Sequence, residues 1–291
     1  MRKIKDDISD SEIRIIGKKK KRRRMSATWQ VFLILVAFLL VVAGILFLMY
    51  RNIHAGDNGF FEPTNNIKAN LHPLCGWIAE SDTVSISGTL IKDTIVNDIP
   101  IKIYLPLNAH PALEIGQKCL SDENVILAFQ AADIRADNHK IVGAFVLKGK
   151  PIAWGLSKKG YCAILRDSIF VGKADNSPLF EEATECDGYF FRQYPLVAEG
   201  IAQESELKSQ AIRRALCEVE NRIAVVETQD NASMHDFSQL LVDLGVDNAI
   251  YLIGSDALGM VADVDGNRIS HGKSPDKIYY KYLNFIYWTA N

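Results

Sequence analysis

Two aspartates stand just past the ends of apolar runs. Asp133 follows residues 125–129, and Asp256 follows residues 249–253. A carboxylate at the end of a strand sits where open α/β-type folds often carry function. Three arginines complement them. Arg192 lies within Tyr189-Phe190-Phe191-Arg192-Gln193-Tyr194, and Arg213-Arg214 opens another apolar run. Aromatic neighbours can hold a guanidinium, and its forked donors match the oxygens of phosphate or carboxylate. A carboxylate can act as general acid, general base or nucleophile. Arg192 and Arg214, with Arg213 third, are the candidates to bind an anion. Asp256 is the first candidate for the reacting centre, and Asp133 is the second. Gln130, Gln193 and the Gly254-Ser255 pair flank these positions and could hydrogen-bond a substrate.

Each candidate also has a plainer reading. Asp256 in Gly-Ser-Asp-Ala is a normal turn aspartate. An arginine in an acidic domain can be an ordinary salt-bridge partner, and a glutamine can be solvated or bonded to backbone. Other chemistries find no support. No Ser-His-Asp order, phosphate-binding loop or dinucleotide fingerprint stands out, and Gly254-Ser255 lacks the nucleophile elbow. Six scattered histidines form no HxH or HxxxH group, and five cysteines form no CxxC pair, so no metal site is supported.

The elements that must position these residues are short. Residues 82–106 alternate as a small meander. Its β-branched runs 83–89, 94–96 and 101–105 are separated by Lys92-Asp93 and Asn97-Asp98, and Pro100 and Pro106 bound the last. The continuous apolar run 125–129 reads as a buried strand. Shorter strands follow at 142–147, 152–154, 161–165 and 168–171, with turns at Gly149 and at Lys158-Lys159-Gly160. Residues 178–182 suit one helical turn. Residues 211–219 could be helical, but a hairpin of 215–219 and 222–227 turning at Glu220-Asn221 fits better. Glu227 and Asp230 close that hairpin and read as turn residues or a helix-end charge.

The clearest helix is 234–244. Ser233 is a good N-cap, Asp236 stands three residues on, and Gly245 is placed to end it. Met234, Phe237, Leu240, Leu241 and Leu244 recur on one face. Strand 249–253 follows at once, so 222–253 is a strand–helix–strand unit that should form core. The fold class expected is α+β, a mixed β-sheet core with few helices, preceded by a single transmembrane helix.

That helix is 29–50, twenty-two residues without a formal charge. At about 1.5 Å per residue it would be roughly 33 Å long, against a hydrocarbon core of about 30 Å. Trp29 and Tyr50 mark its ends, and Lys18 through Arg24 supply seven consecutive cations before it. The positive-inside rule puts that tail in the cytoplasm and everything after Arg51 outside. The segment is too long for a cleaved signal peptide, which supports an uncleaved signal anchor. Residues 1–24 carry +7 and the remainder −9. The cations therefore read as a topology signal, and nucleic acid is not the expected partner. The organisation expected is a basic tail (1–28), anchor (29–50), linker (51–70), small β-rich part (71–122) and main domain (123–291). The location expected is a bacterial inner membrane, facing the periplasm. There the five cysteines could form one or two disulfides or stay buried as thiols.

An ordered series of segments resembles the phosphodiester glycosidase family, the uncovering-enzyme group of N-acetylglucosamine-1-phosphodiester alpha-N-acetylglucosaminidases. It runs from Gly143 to Gly266. Residues 188–197 followed by Gly200 are similar to the family's block ending in Pro-Leu-hydrophobic and then Gly. Arg214-Ala215-Leu216 resembles its Arg-small-Ala strand, and 233–252 its helix, Leu-Gly and Ala-hydrophobic-hydrophobic-Leu element. Two departures stand out. Where the family has Asp-Gly-Gly, this chain has Ile253-Gly254-Ser255. Where the family has Asn-Ala/Gly-Gly-aromatic, it has Gln130-Ala131-Ala132-Asp133.

The resemblance implies hydrolysis of a sugar-1-phosphodiester or related envelope glycan, with arginines on the phosphate and carboxylates at the anomeric centre. Asp256 would then replace the missing family aspartate. Trp154, Tyr161, Tyr189, Tyr194 and Tyr251 could stack on a sugar, or simply be core. The alternative is a non-catalytic module binding glycan or protein in the same cleft. No cofactor is indicated.

Overall fold

The computed structural model describes residues 36, 40–45, 73–81, 84–166, 168–205, 209–273 and 282–291. Met1–Asn66 and Ile67–Asn291 are separate compact units. Within 29–50, positions 36 and 40–45 are helical. The rest of the expected anchor, with the basic tail and the linker, lies outside the described residues. No helix among the described residues is long and apolar enough to cross a membrane.

The larger unit is mostly β-sheet. A seven-stranded sheet is ordered β1-β2-β13-β12-β14-β10-β11. Its strands are β1 (Gly88–Val96), β2 (Ile99–Leu107), β10 (Pro195–Ala198), β11 (Ile201–Ala202), β12 (Arg214–Val219), β13 (Arg222–Thr228) and β14 (Asn248–Leu252). A five-stranded sheet joins β3 (Ala109–Ile115), β4 (Val125–Gln130), β15 (Gly259–Ala262), β16 (Arg268–His271) and β17 (Asn284–Ala290) in the order β16-β15-β4-β17-β3. Another joins β5 (Phe145–Leu147), β6 (Lys150–Ala153), β7 (Gly160–Leu165), β8 (Ser168–Lys173) and β9 (Tyr189–Gln193) in the order β6-β5-β9-β7-β8. The helices are α1 (Pro73–Ser81), α2 (Leu179–Glu185) and α3 (Met234–Asp243).

Every ladder between named strands is antiparallel, which corrects the mixed sheet expected. The strand–helix–strand unit does form. Its two strands do not pair, however, because β12 runs between them and pairs with both. The unit is therefore a crossover around an antiparallel partner.

The meander is also simpler than expected. Lys92-Asp93 makes no turn and lies inside the continuous strand β1, opposite Ile103 and Lys102. The turn is at Asn97-Asp98, both with positive φ, the two-residue hairpin geometry that asparagine and aspartate tolerate. Pro100 and Pro106 lie within β2, flanking the stretch 101–104 that pairs with β13. Neither lies in that shared stretch, where its missing N–H would matter. Because β2 pairs with β13, residues 88–107 share a sheet with strands from 123–291.

Strict alternation divides the seven-stranded sheet into two faces. Ala215, Cys217, Val219, Ala224, Val226 and Ala249 pack with Phe237, Leu240, Leu241 and Leu244 of α3 and Leu74 and Ile78 of α1. Leu216, Val225, Ile250, Leu252 and Tyr104 point the other way, into a core shared with Phe129, Phe145, Phe191, Ile286 and Trp288 of the other sheets. The helix α3 starts as expected. Ser233 Oγ accepts a hydrogen bond from Asp236 N–H, and Gly245 follows the helix at φ +90°. All five cysteines are free thiols, and no disulfide forms.

Candidate functional site

The same alternation that buries Leu216 buries Arg214, two positions earlier. It likewise puts Glu227 on the side of Val225, directly opposite Arg214 in the β12–β13 ladder. The two form a buried ion pair, with Arg214 1% exposed. Arg214 Nη1 also donates to the Ile253 carbonyl at 2.7 Å, and its guanidinium lies 4.0 Å from the Phe129 ring centre. Glu227 takes a long hydrogen bond from Tyr104 at 3.4 Å and faces His271 Nδ1 at 4.0 Å. Glu227 is therefore no turn residue but the counter-ion of Arg214. Burial first, then the Glu227 carboxylate, pushes the Tyr104 phenol well up. Burial pulls His271 below the usual histidine range; Glu227 opposes that shift and Arg214 adds to it.

The other two arginines are also occupied. Arg213 donates from Nε to the Ala232 carbonyl at 3.0 Å and from Nη2 to the Ser209 carbonyl. Arg192, 1% exposed, donates to the carbonyls of Lys158, Ala174 and Asp175, each at 3.0 Å. Its aromatic neighbours do not clamp it against a ligand. It clamps backbone instead.

That clamp matters because of what Lys158 does. Its backbone is left-handed, at φ +67°, and its side chain is only 6% exposed. The ammonium pairs with Asp133 Oδ2, donates to Gln193 Oε1 at 2.9 Å and lies 4.4 Å from the Tyr194 ring centre. Gln193 Nε2 donates to Asp133 Oδ1 at 3.0 Å and to the Ala131 carbonyl at 3.1 Å. Asp133, Lys158, Gln193 and Tyr194 thus form one network, with the Asp133 carboxylate about a third exposed. Burial lowers the proton affinity of Lys158, against the pull of Asp133. Lys158 and Tyr194 also line a cleft of about 550 Å³, with Lys159, Lys173, Pro195 and residues 201–204. Lys159 pairs with Asp175 at 2.7 Å, while Lys173 rests on the neutral amide of Gln203.

Gly143 lets the lysine loop sit there. At φ +84° it adopts a conformation that side chains resist, and an added Cβ would lie 3.0 Å from Arg192 Cβ and 3.1 Å from the Ser157 carbonyl. Gly254 has a packing role too. A Cβ there would come within 2.4 Å of the Ile212 carbonyl, and the residue is buried. Ser255 and Asp256 are exposed in the turn that follows. No hydrogen bond or ion pair joins Asp256 to Arg192 or Arg214. Gln130 is buried at the end of β4, and its carbonyl accepts from Ile253 N–H at 3.3 Å. Among the described residues no three His, Cys, Asp or Glu side chains converge as a metal site.

No protein-family model matches this sequence. No curated protein matches it either. Solved structures do share its general shape. The catalytic domain of zebrafish N-acetylglucosamine-1-phosphodiester alpha-N-acetylglucosaminidase, auto-inhibited by its pro-peptide, aligns over 70% of this chain and 83% of that one, at 11% identity and a TM-score of 0.48. A hypothetical protein from Synechocystis aligns over 70% and 62%, at 12% identity and 0.47. A Burkholderia pseudomallei protein named as exported aligns over 66% and 74%, at 8% identity and 0.44. These are distant likenesses of fold.

The structure thus brings Asp133 and Gln193 together and leaves Asp256 and Ser255 outside that network. Arg192 touches the network only through the Lys158 backbone. Sequence reasoning treated Lys158 as a turn residue. A signal was present: Lys158-Lys159-Gly160 directly precedes a strand, and Gly160 faces Gln193 in the β7–β9 register. That register brings the lysine loop beside the end of β9. His271 and Tyr104 left no such signal, since their partner Glu227 lies more than forty residues away from His271 and more than a hundred from Tyr104.

Proposed function

We propose that this chain binds a sugar-1-phosphodiester, or a related anionic envelope glycan, in the lysine-lined cleft. The observation that carries this reading is the network of Lys158, Asp133, Gln193 and Tyr194, of which Lys158 and Tyr194 line that cleft. Lys158 and Lys173 would meet the phosphate and the Tyr194 hydroxyl the sugar hydroxyls, while the fully buried Gln193 holds Lys158 in place. A cleft of about 550 Å³ is in the ordinary range for a small ligand.

Hydrolysis is the second reading, favoured by the pairing of Asp133 with a buried amine of lowered proton affinity. Such a pair sets a proton donor directly beside a carboxylate. Binding is placed first because glycosyl transfer ordinarily uses two carboxylates, and Asp133 alone stands in this network. We also infer that the apolar segment 29–50 anchors the domain to a membrane, basic tail inside, so that the cleft meets glycans outside the cytoplasm.

The test uses the full chain in mild detergent and the methyl phosphodiester of N-acetylglucosamine-1-phosphate. Calorimetric titration should show binding that falls at least tenfold in Lys158→Met. Absence of binding by the unsubstituted chain refutes the reading. Free N-acetylglucosamine released by the unsubstituted chain, and lost in Asp133→Asn while binding persists, would promote hydrolysis to first place. Extraction of membranes at alkaline pH tests the anchor: the chain should stay in the pellet and leave it when residues 1–50 are deleted.

A further inference from the structure

A second concave surface shares no lining residue with the cleft or with the network. It is a groove of about 480 Å³ lined by Arg135, Asn138, Lys140, Ile141, Ile152, Ala153, Trp154 and Tyr282. Trp154 decides its character. Tryptophan is highly buried on average, yet this one is 71% exposed. It stands immediately after β6, the edge strand of its sheet. The other aromatics considered for sugar stacking differ. Tyr161 stacks on Phe190, Tyr189 joins the inter-sheet core, Tyr194 carries the Lys158 ammonium, and Tyr251 packs against the α3 face. Trp154 alone of that set presents most of its surface to solvent.

The surroundings favour one class of ligand. The floor is apolar, from Ile141, Ile152 and Ala153. The rim is a short hairpin closed by the Ile134–Ile141 bridge and by Arg135 N–H on the Lys140 carbonyl at 2.9 Å. It carries amide, ammonium and guanidinium groups. Arg135 is held in a double hydrogen bond by Asp137, which stiffens the rim and offsets its charge. A pyranose has the matching surface: one face of C–H bonds that lies flat on an indole, and an equator of hydroxyls that needs donors and acceptors. A lipid chain would leave that polar rim unused.

The platform is also held in place. Gly155 packs on Gly143, where an added Cβ would lie 3.5 Å from the Gly143 Cα, and Arg192 grips the Lys158 carbonyl four residues after Trp154. We propose that this groove is an oligosaccharide-binding subsite in which a pyranose ring stacks on Trp154, with Asn138 and Lys140 on its hydroxyls. It stands on its own geometry and does not require the lysine cleft to bind phosphodiester.

Trp154 is exposed, so its replacement should leave the fold intact. Of the tryptophans among the described residues, Trp77 is half-buried and Trp288 buried, so added saccharide should chiefly change Trp154 emission. Chitotetraose and tetragalacturonate are titrated separately into the full chain in detergent, with affinity read by calorimetry and by tryptophan fluorescence. At least one should bind, and Trp154→Ala should weaken it tenfold or more, while Trp154→Phe, which keeps a flat ring, stays within about threefold. Binding of neither sugar, or equal binding by Trp154→Ala, overturns the proposal. The same Trp154→Ala protein is titrated with the sugar-1-phosphate methyl diester. Retained diester binding there, with lost oligosaccharide binding, supports two separate sites. Failure of the unsubstituted chain to bind the diester would count against the cleft alone.

Discussion

Arg214→Met removes the cation from the buried pair and leaves Glu227 charged inside the protein. Three losses follow from the geometry. Glu227 keeps only the Tyr104 hydroxyl at 3.4 Å and His271 at 4.0 Å. The Ile253 carbonyl loses a donor at 2.7 Å, and the Phe129 ring loses its cation at 4.0 Å. Breaking one partner of a buried pair costs about 3–5 kcal/mol, because the remaining charge is uncompensated. For a domain of this size each kcal/mol moves Tm by about 2–4 °C, so the drop should be on the order of 6–20 °C. Adding Glu227→Gln to Arg214→Met removes the stranded charge and should recover most of the loss. His271 gives a second check. Arg214 is one of the groups holding its proton affinity down, so in Arg214→Met the imidazole should protonate more readily and partly replace the lost cation. The single variant's defect should therefore shrink as pH falls from about 8 toward 6, where an ordinary histidine titrates. The assay is urea unfolding of the full chain in detergent at both pH values, with an unchanged slope required for comparison. A loss under about 1 kcal/mol, or a double variant less stable than Arg214→Met, would refute the buried-pair account.

Other perturbations separate the remaining roles. Arg192→Met should weaken diester binding at least tenfold by releasing the Lys158 loop, whereas Arg213→Met, which pins Ser209 and Ala232 elsewhere, should lower stability and leave binding within about twofold. Titration calorimetry beside a melting curve reads both. Diester binding should fade on the alkaline side at a pH below that of an ordinary lysine, since burial lowers Lys158 and only its charged form attracts phosphate. A fading midpoint at or above 10.5 would remove Lys158 from the contact. The unsubstituted fold should lose stability as pH drops through the usual histidine range, because His271 binds its proton more weakly folded than unfolded. His271→Asn should flatten that part of the profile. Gly143→Ala should cost stability and weaken diester binding together, because the methyl meets Arg192 and the Ser157 carbonyl.

Local signals in the sequence were strong where one element decides its own shape. The helix after Ser233, the hairpin at Glu220-Asn221 and the buried run before Gln130 all follow from residues within a turn or two of one another. What the sequence could not show was pairing between distant strands. Lys92-Asp93 looked like a turn because two charges interrupt an apolar run, yet β1 is an edge strand where each charge finds an ion pair, Lys92 with Glu80 and Asp93 with Lys102. The strand–helix–strand unit gave no sign that β12, earlier in the chain, lies between its two strands and pairs with both. Glu227 looked like a turn carboxylate because its arginine lies across the hairpin at the far end. Period-two alternation already put Arg214 and Glu227 on one face, so the buried pair was legible once the hairpin register was fixed. Asp133 and Gln193 were legible as candidates, but their joining group was not. Lys158 reaches them from a loop whose path is set by Arg192 and Gly143.

This reassigns chemistry by a general rule of cost. An arginine buried beyond the reach of solvent must have its donors satisfied within the protein, and Arg192, Arg213 and Arg214 are largely satisfied by carbonyls and one carboxylate. To bind a phosphate through them, the protein would have to break those bonds first, and the gain would shrink by what they were worth. Lys158 differs. It is only 6% exposed and held by Asp133 and Gln193, but it lines a cleft, and its carboxylate partner is itself part exposed. A ligand can share that ammonium without dismantling the fold. Lys173 rests on a neutral amide, so an anion that meets it displaces no competing charge. The arginines fix loops and strand ends, which leaves the cleft lysines and the exposed Trp154 for the recognition proposed above. Among the candidates, the three buried arginines are the groups least able to act on a ligand.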